Sequence, residues 1–272
     1  MITMGIDMGY ENIKVVILKD GAVAGRAQAR SGGVKRLRHA EEAMRAALKD
    51  AGLTEAQVEK RFATGKGKFD IESIVDDVLT EPVTAVKAAE FLCPGATTVA
   101  DIGADETVVM LLGGNGRVLQ LVTNEKCAAG VGSFLRNMAR RLELNLEEMS
   151  ELPPRKAGDP SVSDGCIVFG ELDALNLLNN GAPPEEVAKA VTASAVIRAT
   201  VSIRDNTLEN LSRLVIFGGV TKNKAFMRGV RERLGVEPVV PEDAEYAGAL
   251  GAALFAAEWG ARHFANDEKT SA

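Results

Sequence analysis

The chain has 272 residues, a net charge of −6, and is 46% hydrophobic but only 4% aromatic. That length allows one large domain or two of about 130 residues, with a core built from Ala, Val, Leu and Ile. The acidic balance argues against a nucleic-acid or membrane-surface role carried by bulk charge.

"MITMGIDMGYENIKVVILKDGAVAGRAQAR" reads as three strands with a D-G hairpin signal at Asp20-Gly21 between the second and third. No basic region followed by an apolar run is present there, so no signal peptide is expected. A helix is expected over 39–53, ending at Gly52. A short strand near "KRFATG" follows, then helical character over 70–92 with a break before Pro82.

The pattern restarts at 97–124, "TTVADIGADETVVMLLGGNGRVLQLVTN". Asp7, Gly9, Val15 and Leu18 each lie 94 residues before an identical residue, namely Asp101, Gly103, Val109 and Leu112. The turns "KDG" and "GNG" nearly coincide under the same shift. This is read as an internal duplication of a three-stranded unit with an Asp-x-Gly at its first turn. Helices are then expected over about 128–148, 170–180 and 184–210, a buried strand at 213–220, a helix in "NKAFMRGVRERLG", a short strand in "EPVVP" and a last helix from about Ala244. "AGALGAALFAAEWGA" (247–261) is too short and too rich in Gly and Ala to span a bilayer, and the tail "NDEKTSA" is expected to lack structure. Strands alternating with helices, twice over, indicate a two-lobed α/β protein; with neither a signal peptide nor a spanning stretch read in the sequence, a cytoplasmic location is expected.

Each Asp-x-Gly turn places a carboxylate at a strand end beside backbone that a ligand can approach closely. Such a carboxylate can hold hydrated Mg²⁺ while nearby N–H groups face phosphates, and Lys14 could neutralise one. Asp and Gly are also ordinary turn residues; the repetition favours the phosphate reading. "FGGVTKN" (217–223), a strand running into Gly218-Gly219 and then a helix, can meet a nucleotide through its backbone. "TGKGKF" (64–69) fails the spacing of a phosphate-binding P-loop and is read as a plain turn.

Three cysteines and two histidines bound the metal chemistry. His39 and His263 sit in no motif. Cys127 lies at an expected helix start, in "NEKCAAGVGSFL", where unpaired N–H groups favour a thiolate. Cys166, in "SDGCIVFGE", lies at another element start, and Cys93 reads as a small buried hydrophobe. Two thiolates cannot complete a four-cysteine cluster, so any cluster needs ligands from a second polypeptide.

"GIDMGYENIK", "VADIGADE", "NEKCAAGVGSFL", "CIVFGE", "FGGVTKN" and "YAGALGAAL" occur in the order found in the ATPases that activate 2-hydroxyacyl-CoA dehydratases, a family that includes the ATP-binding subunits of benzoyl-CoA reductase. The chain resembles that family from residue 4 to about 257. The resemblance implies an actin-like ATPase fold of two ribonuclease-H-like lobes with a nucleotide cleft between them. The first lobe would comprise 1–95, completed by a helix of about 245–265, and the second 96–244. It further implies ATP, Mg²⁺ and a [4Fe–4S] cluster held by Cys127 and Cys166 with their counterparts on a sister ATPase subunit. Asp7, Asp101 and Asp105 would be the catalytic carboxylates. Gly9, Tyr10, Asn12 and Lys14 map to the first phosphate loop, Gly103 to the second, and Gly218, Gly219 and Asn223 to the adenosine region; Gly132 and Glu171 complete the binding set.

The chain departs from the family pattern at Tyr10 and Glu11, where Ser or Thr is usual, at "DIGADE" for DIGGQD, and at Val131, Ser133 and Arg136. These departures favour a specialised subunit of a benzoyl-CoA reductase type complex, fed by a ferredoxin-type donor. The alternatives are a homodimeric dehydratase activator, a nucleotide-binding regulatory subunit with degenerate hydrolysis and, from another class, a sugar or N-acetylhexosamine kinase on the same scaffold.

Overall fold

The computed structural model of the chain describes residues 1–123, 130–204 and 211–270. The chain divides into two compact units, Met1–Pro94 with Glu245–Ala272, and Gly95–Ala244.

The first unit opens with β1 (Ile2–Met8), β2 (Asn12–Lys19) and β3 (Ala22–Arg30), paired antiparallel. Asp20 at φ 51° and Gly21 at φ 82° make the tight turn between β2 and β3. Two consecutive left-handed residues are what a type I′ hairpin needs, and a D-G pair adopts them at low cost. Helix α1 (Arg36–Ala51) buries Ala40, Ala43, Met44, Ala47 and Leu48, one helical stripe, and ends where the Gly52 amide turns back on the Leu48 and Lys49 carbonyls. Strand β4 (Lys60–Thr64) then pairs parallel with β1, and the two-residue β5 (Asp77–Val78) with β4. The expected break before Pro82 is present, since α2 spans Glu81–Leu92 with Pro82 in its first turn, but the stretch before it is the 3-10 segment Lys68–Ile74 and β5 rather than α-helix.

The second unit repeats the opening with β6 (Thr98–Ile102), β7 (Thr107–Leu112) and β8 (Val118–Thr123). The expected helix over 128–148 is two helices, α3 (Val131–Arg141) and α4 (Leu146–Glu151). Glu143 at φ 57° breaks the run, and Asn145 and Glu148 form a capping box that starts the second helix. Helices α5 (Ile167–Asn179) and α6 (Pro184–Arg204), strand β9 (Leu214–Phe217) and helix α7 (Lys224–Leu234) complete the unit. "EPVVP" contributes a single bridge, Val239 to Val215, because Pro238 and Pro241 lack the N–H that a ladder needs. Phe134, Met138, Ile216 and Phe226 are fully buried in its core; each such side chain contributes roughly 1.5–3 kcal/mol.

The chain returns to the first unit through α8 (Ala247–Thr270), which includes most of the tail expected to lack structure. Thr3 Oγ1 donates to the Ala253 carbonyl at 2.9 Å, fixing α8 to β1. No helix among the described residues is long and apolar enough to cross a membrane.

The duplication is visible in the topology. The sheets run β3-β2-β1-β4-β5 and β8-β7-β6-β9, so the first four strands of one match the four of the other. Both hairpins carry a register shift, between Ile17 and Leu18 and between Leu111 and Leu112, at the 94-residue offset found in the sequence.

Candidate functional site

In the first unit Asp7 lies near the end of β1, directly opposite Lys14 on β2 and Thr64 on β4. Lys14 Nζ donates to Asp7 Oδ2 at 2.9 Å, and both side chains are largely buried. Bare backbone surrounds the pair. A Cβ at Gly9 would lie 2.6 Å from the Asn12 carbonyl oxygen and 3.2 Å from Lys14 Nζ, and one at Gly248, in the first turn of α8, would lie 3.4 Å from the Asp7 carboxyl. Gly65, at φ 90°, could not carry a side chain: its Cβ would sit 2.5 Å from Asp7 Oδ1. Asp7, Gly9, Asn12 and Lys14 thus meet at one turn, while Tyr10 stands 55% exposed beside them.

Sequence reasoning missed two contributors to this turn. "TGKGKF", read as a plain turn, lies against it through Gly65, and the Gly67 amide donates to the Met8 carbonyl at 2.9 Å. Its position at the end of the short strand expected near "KRFATG" was the available signal. Buried Ser31 donates its hydroxyl to the Gly9 carbonyl at 2.5 Å and its amide to the Glu11 carbonyl at 3.0 Å, bracketing the turn from β3. No local motif marks it.

In the second unit the Gly103 amide donates to the Glu106 carbonyl at 2.9 Å, closing the corresponding turn. The residue opposite Asp101 is Val108, where the first turn has Lys14; the two turns share a carboxylate but not a cation. Gly218, at φ 101°, brings the end of β9 against this turn. Its Cβ would lie 2.1 Å from the Ile102 carbonyl oxygen and 3.3 Å from Asp101 Oδ1. Gly219 opens the 3-10 turn Gly219–Lys222 that leads to Asn223. Asn223 caps α7 through Oδ1, which accepts from the Phe226 amide at 2.8 Å. Its buried Nδ2 has no hydrogen-bond partner among the described residues, nor does Ser133 Oγ. An unpaired buried amide of this kind is costly and suits a ligand acceptor.

The second turn also grips the start of α3. Gly103 and Ala104 offer their carbonyls to the Gly132 and Ser133 amides at 3.2 and 3.0 Å. A Cβ at Gly130 would lie 2.3 Å from the Asp105 carbonyl carbon, so this contact needs glycine. The donors used are among the four amides that a helix start leaves unpaired. Cys127 lies outside the described residues, in the segment 124–129 that leads into α3.

Cys166 is the N-cap of α5, free and half-buried. Val168 and Phe169 beside it are 70% and 61% exposed. Glu171 is held by Arg141 of α3 at 3.3 Å. Cys93 is buried at the end of α2, with its amide bonded to the Ala89 carbonyl. Among the described residues no three His, Cys, Asp or Glu side chains converge as a metal site. An uncommitted thiol at an exposed helix start does fit a thiolate ligand of a group shared with another polypeptide, and a chain with three cysteines cannot enclose a four-sulfur group alone.

Comparison with known proteins extends this geometry. The sequence profile of the BadF/BadG/BcrA/BcrD ATPase family matches residues 4–256. The activator of lactoyl-CoA dehydratase from Anaerotignum propionicum is 36% identical over 258 residues, covering 95% of this chain and 98% of that protein. A benzoyl-CoA reductase subunit from Thauera aromatica is 29% identical over 279 residues, covering 96% and 94%. Among solved structures, the activator of the 2-hydroxyisocaproyl-CoA dehydratase from Clostridium difficile with bound ADPNP superposes with a TM-score of 0.87 at 28% identity, covering 98% of each chain. The fold is the actin-like ATPase fold, and both sheets and their helices agree with it.

Proposed function

Because this chain belongs to the BadF/BadG/BcrA/BcrD ATPase family, we propose that it is an ATP-driven electron-transfer activator of a 2-hydroxyacyl-CoA dehydratase. The departures at Tyr10, Glu11 and Asp105 favoured a benzoyl-CoA reductase subunit in the sequence. The higher identity to a dehydratase activator, at similar coverage, moves the reading to the activator. The reductase subunit remains the second reading, favoured by the benzoyl-CoA reductase relative.

The observation that carries the proposal is the pair of backbone bonds from Gly103 and Ala104 to the first turn of α3. A turn suited to phosphates is tied, without intervening side chains, to the helix that follows the Cys127 segment. Asp7 and Asp101 would each offer a carboxylate toward hydrated Mg²⁺, and Lys14, bonded to Asp7, would supply a cation for a phosphate oxygen. Gly218, Gly219 and Asn223 receive the adenosine, with Asn223 Nδ2 as a donor. Asp105 stands where the second turn meets Gly130, so a shift of that turn on nucleotide binding moves the start of α3. Cys127 and Cys166, with two cysteines of a sister subunit, would hold a [4Fe–4S] cluster, which would supply one-electron chemistry between a ferredoxin-type donor and the dehydratase. Nucleotide binding biases the arrangement only insofar as it prefers one position of the turn over another.

The test is anaerobic purification of the full chain, alone and with any co-purifying subunit, beside Cys127→Ser and Cys166→Ser. The parent should be brown, carry iron and hydrolyse ATP, and both variants should lose the cluster spectrum. Variants that retain the parent's spectrum refute the ligand assignment, and activation of a reductase but not of a dehydratase would select the second reading.

A further inference from the structure

We infer that Arg198 is a positioning residue for the sulfur ligands, holding the loop that delivers Cys166 against the helix that follows Cys127. The inference rests on the reading of those two cysteines as ligands.

Residues 152–165 form no helix or strand, so the entry of Cys166 into α5 must be fixed by other bonds. They concentrate on Ser163, three residues upstream. Its amide donates to Asp173 Oδ2 at 2.9 Å. Its carbonyl accepts twice, from Ser194 Oγ at 2.9 Å and from Arg198 Nη2 at 3.0 Å. Arg198 Nε also lies 3.4 Å from Ser194 Oγ. Both donors project from α6, one turn apart.

The same guanidinium reaches α3. Its central carbon stands 4.9 Å from the ring centroid of Phe134, a side chain fully buried in the core. Phe134 belongs to the first turn of α3, its amide bonded to the Gly130 carbonyl at 3.1 Å. Gly170 completes the junction: its amide closes the first turn of α5 on the Cys166 carbonyl at 2.9 Å. A Cβ at Gly170 would lie 2.8 Å from the Ser163 carbonyl oxygen, 3.3 Å from Arg198 Nη2 and 3.4 Å from the Phe134 ring. The loop before Cys166, the first turn of α5 and the first turn of α3 therefore meet at one guanidinium.

The choice of residue follows from its shape. Arginine offers a planar fork of donors, stays charged at any working pH, and stacks on an aromatic face while donating at its edge. Lysine keeps the charge but not the fork. Glutamine keeps a donor but neither the charge nor the stacking. The fixed positive charge of Arg198, bonded three residues upstream of Cys166, also favours the more negative, reduced state of any group that thiol holds, so its removal makes reduction harder.

The test uses the full chain, purified and reconstituted with ferrous iron and sulfide without oxygen, as parent, Arg198→Lys, Arg198→Gln and Ser194→Ala. Iron content, the electron paramagnetic resonance spectrum of the reduced protein and its midpoint potential are read. Iron affinity should fall by about tenfold or more in Arg198→Gln, with a changed spectrum and a more negative midpoint. Arg198→Lys should keep the midpoint near that of the parent but alter the spectrum. Ser194→Ala, which leaves the charge in place, should lose iron without a large change in midpoint, and it decides the matter if Arg198→Gln does not fold. Parent-like iron content and spectra in both Arg198→Gln and Ser194→Ala overturn the inference and leave the ligand assignment standing. A parent that takes up no iron removes both.

Discussion

The Asp7 carboxylate and the Lys14 ammonium face each other at 2.9 Å as direct cross-strand neighbours on β1 and β2. The pair keeps the largely buried carboxylate compensated, and under the proposed function its cation is the group that meets a phosphate. Lys14→Met should weaken binding of a non-hydrolysable ATP analogue by roughly 10- to 100-fold, the value of a charge-assisted hydrogen bond. Asp7→Asn should retain most of the binding and lose phosphate release. Calorimetric titration and a phosphate assay separate the two, and an unchanged Kd in Lys14→Met would refute the assignment of Lys14.

Asn223 presents two different atoms, the Oδ1 that caps α7 and an Nδ2 with no hydrogen-bond partner among the described residues, and a substitution can part them. Asn223→Asp keeps the acceptor that caps α7 but has no Nδ2 donor. It should melt close to the parent while losing nucleotide affinity. Asn223→Ala should lose that affinity and about 1 kcal/mol of stability as well. Equal nucleotide affinity in the parent and Asn223→Asp would mean that the amide plays no part in recognition.

Gly218 sits at φ 101° with the Ile102 carbonyl oxygen where a Cβ would fall. Gly218→Ala should cost about 1–3 kcal/mol for the backbone conformation alone, with the overlap adding to it. Urea unfolding followed by circular dichroism reads the loss. Gly219→Ala is the control, since a Cβ there meets nothing within 4 Å.

Asp76 ties β4 to the segment before β5, accepting from the Arg61 amide at 2.8 Å and from Lys60 Nζ at 2.9 Å. Burial by itself would raise its pKa, but the amide and the ammonium outweigh it and hold the carboxyl below its ordinary 3.8. A depressed folded-state pKa gives stability that is present above about pH 3.8 and lost as the pH falls through the lower folded value. Asp76→Asn should therefore be less stable than the parent at neutral pH, the difference closing in acid below that value. A gap that stayed constant from pH 7 to pH 2, roughly the span over which carboxylates titrate, would show that the charge is not responsible.

The parts of this molecule that were readable from the sequence are local or repeated. The Asp20-Gly21 turn, the Asp-x-Gly turns and the 94-residue offset depend on residues close together or on a pattern seen twice, and the topology reproduces the duplication down to the bulge. What escaped depends on distant strands pairing. "TGKGKF" meets Asp7 only because β4 lies parallel to β1, some 57 residues away in the Thr3–Lys60 pairing by number. Ser31 reaches Gly9 for the same kind of reason. The break between α3 and α4 was readable in principle from Asn145 and Glu148, but an apolar period running through it masked the cap. Glu171, placed in the cofactor-binding set on the resemblance alone, is paired with Arg141.

The grip of Gly103 and Ala104 on α3 is made wholly by peptide groups. No replacement of the side chains at 104 or 105 removes a donor or an acceptor from it. Those positions are therefore free to change chemically while the mechanical linkage persists. Only the glycines that permit the close approach, above all Gly130, are barred from that freedom.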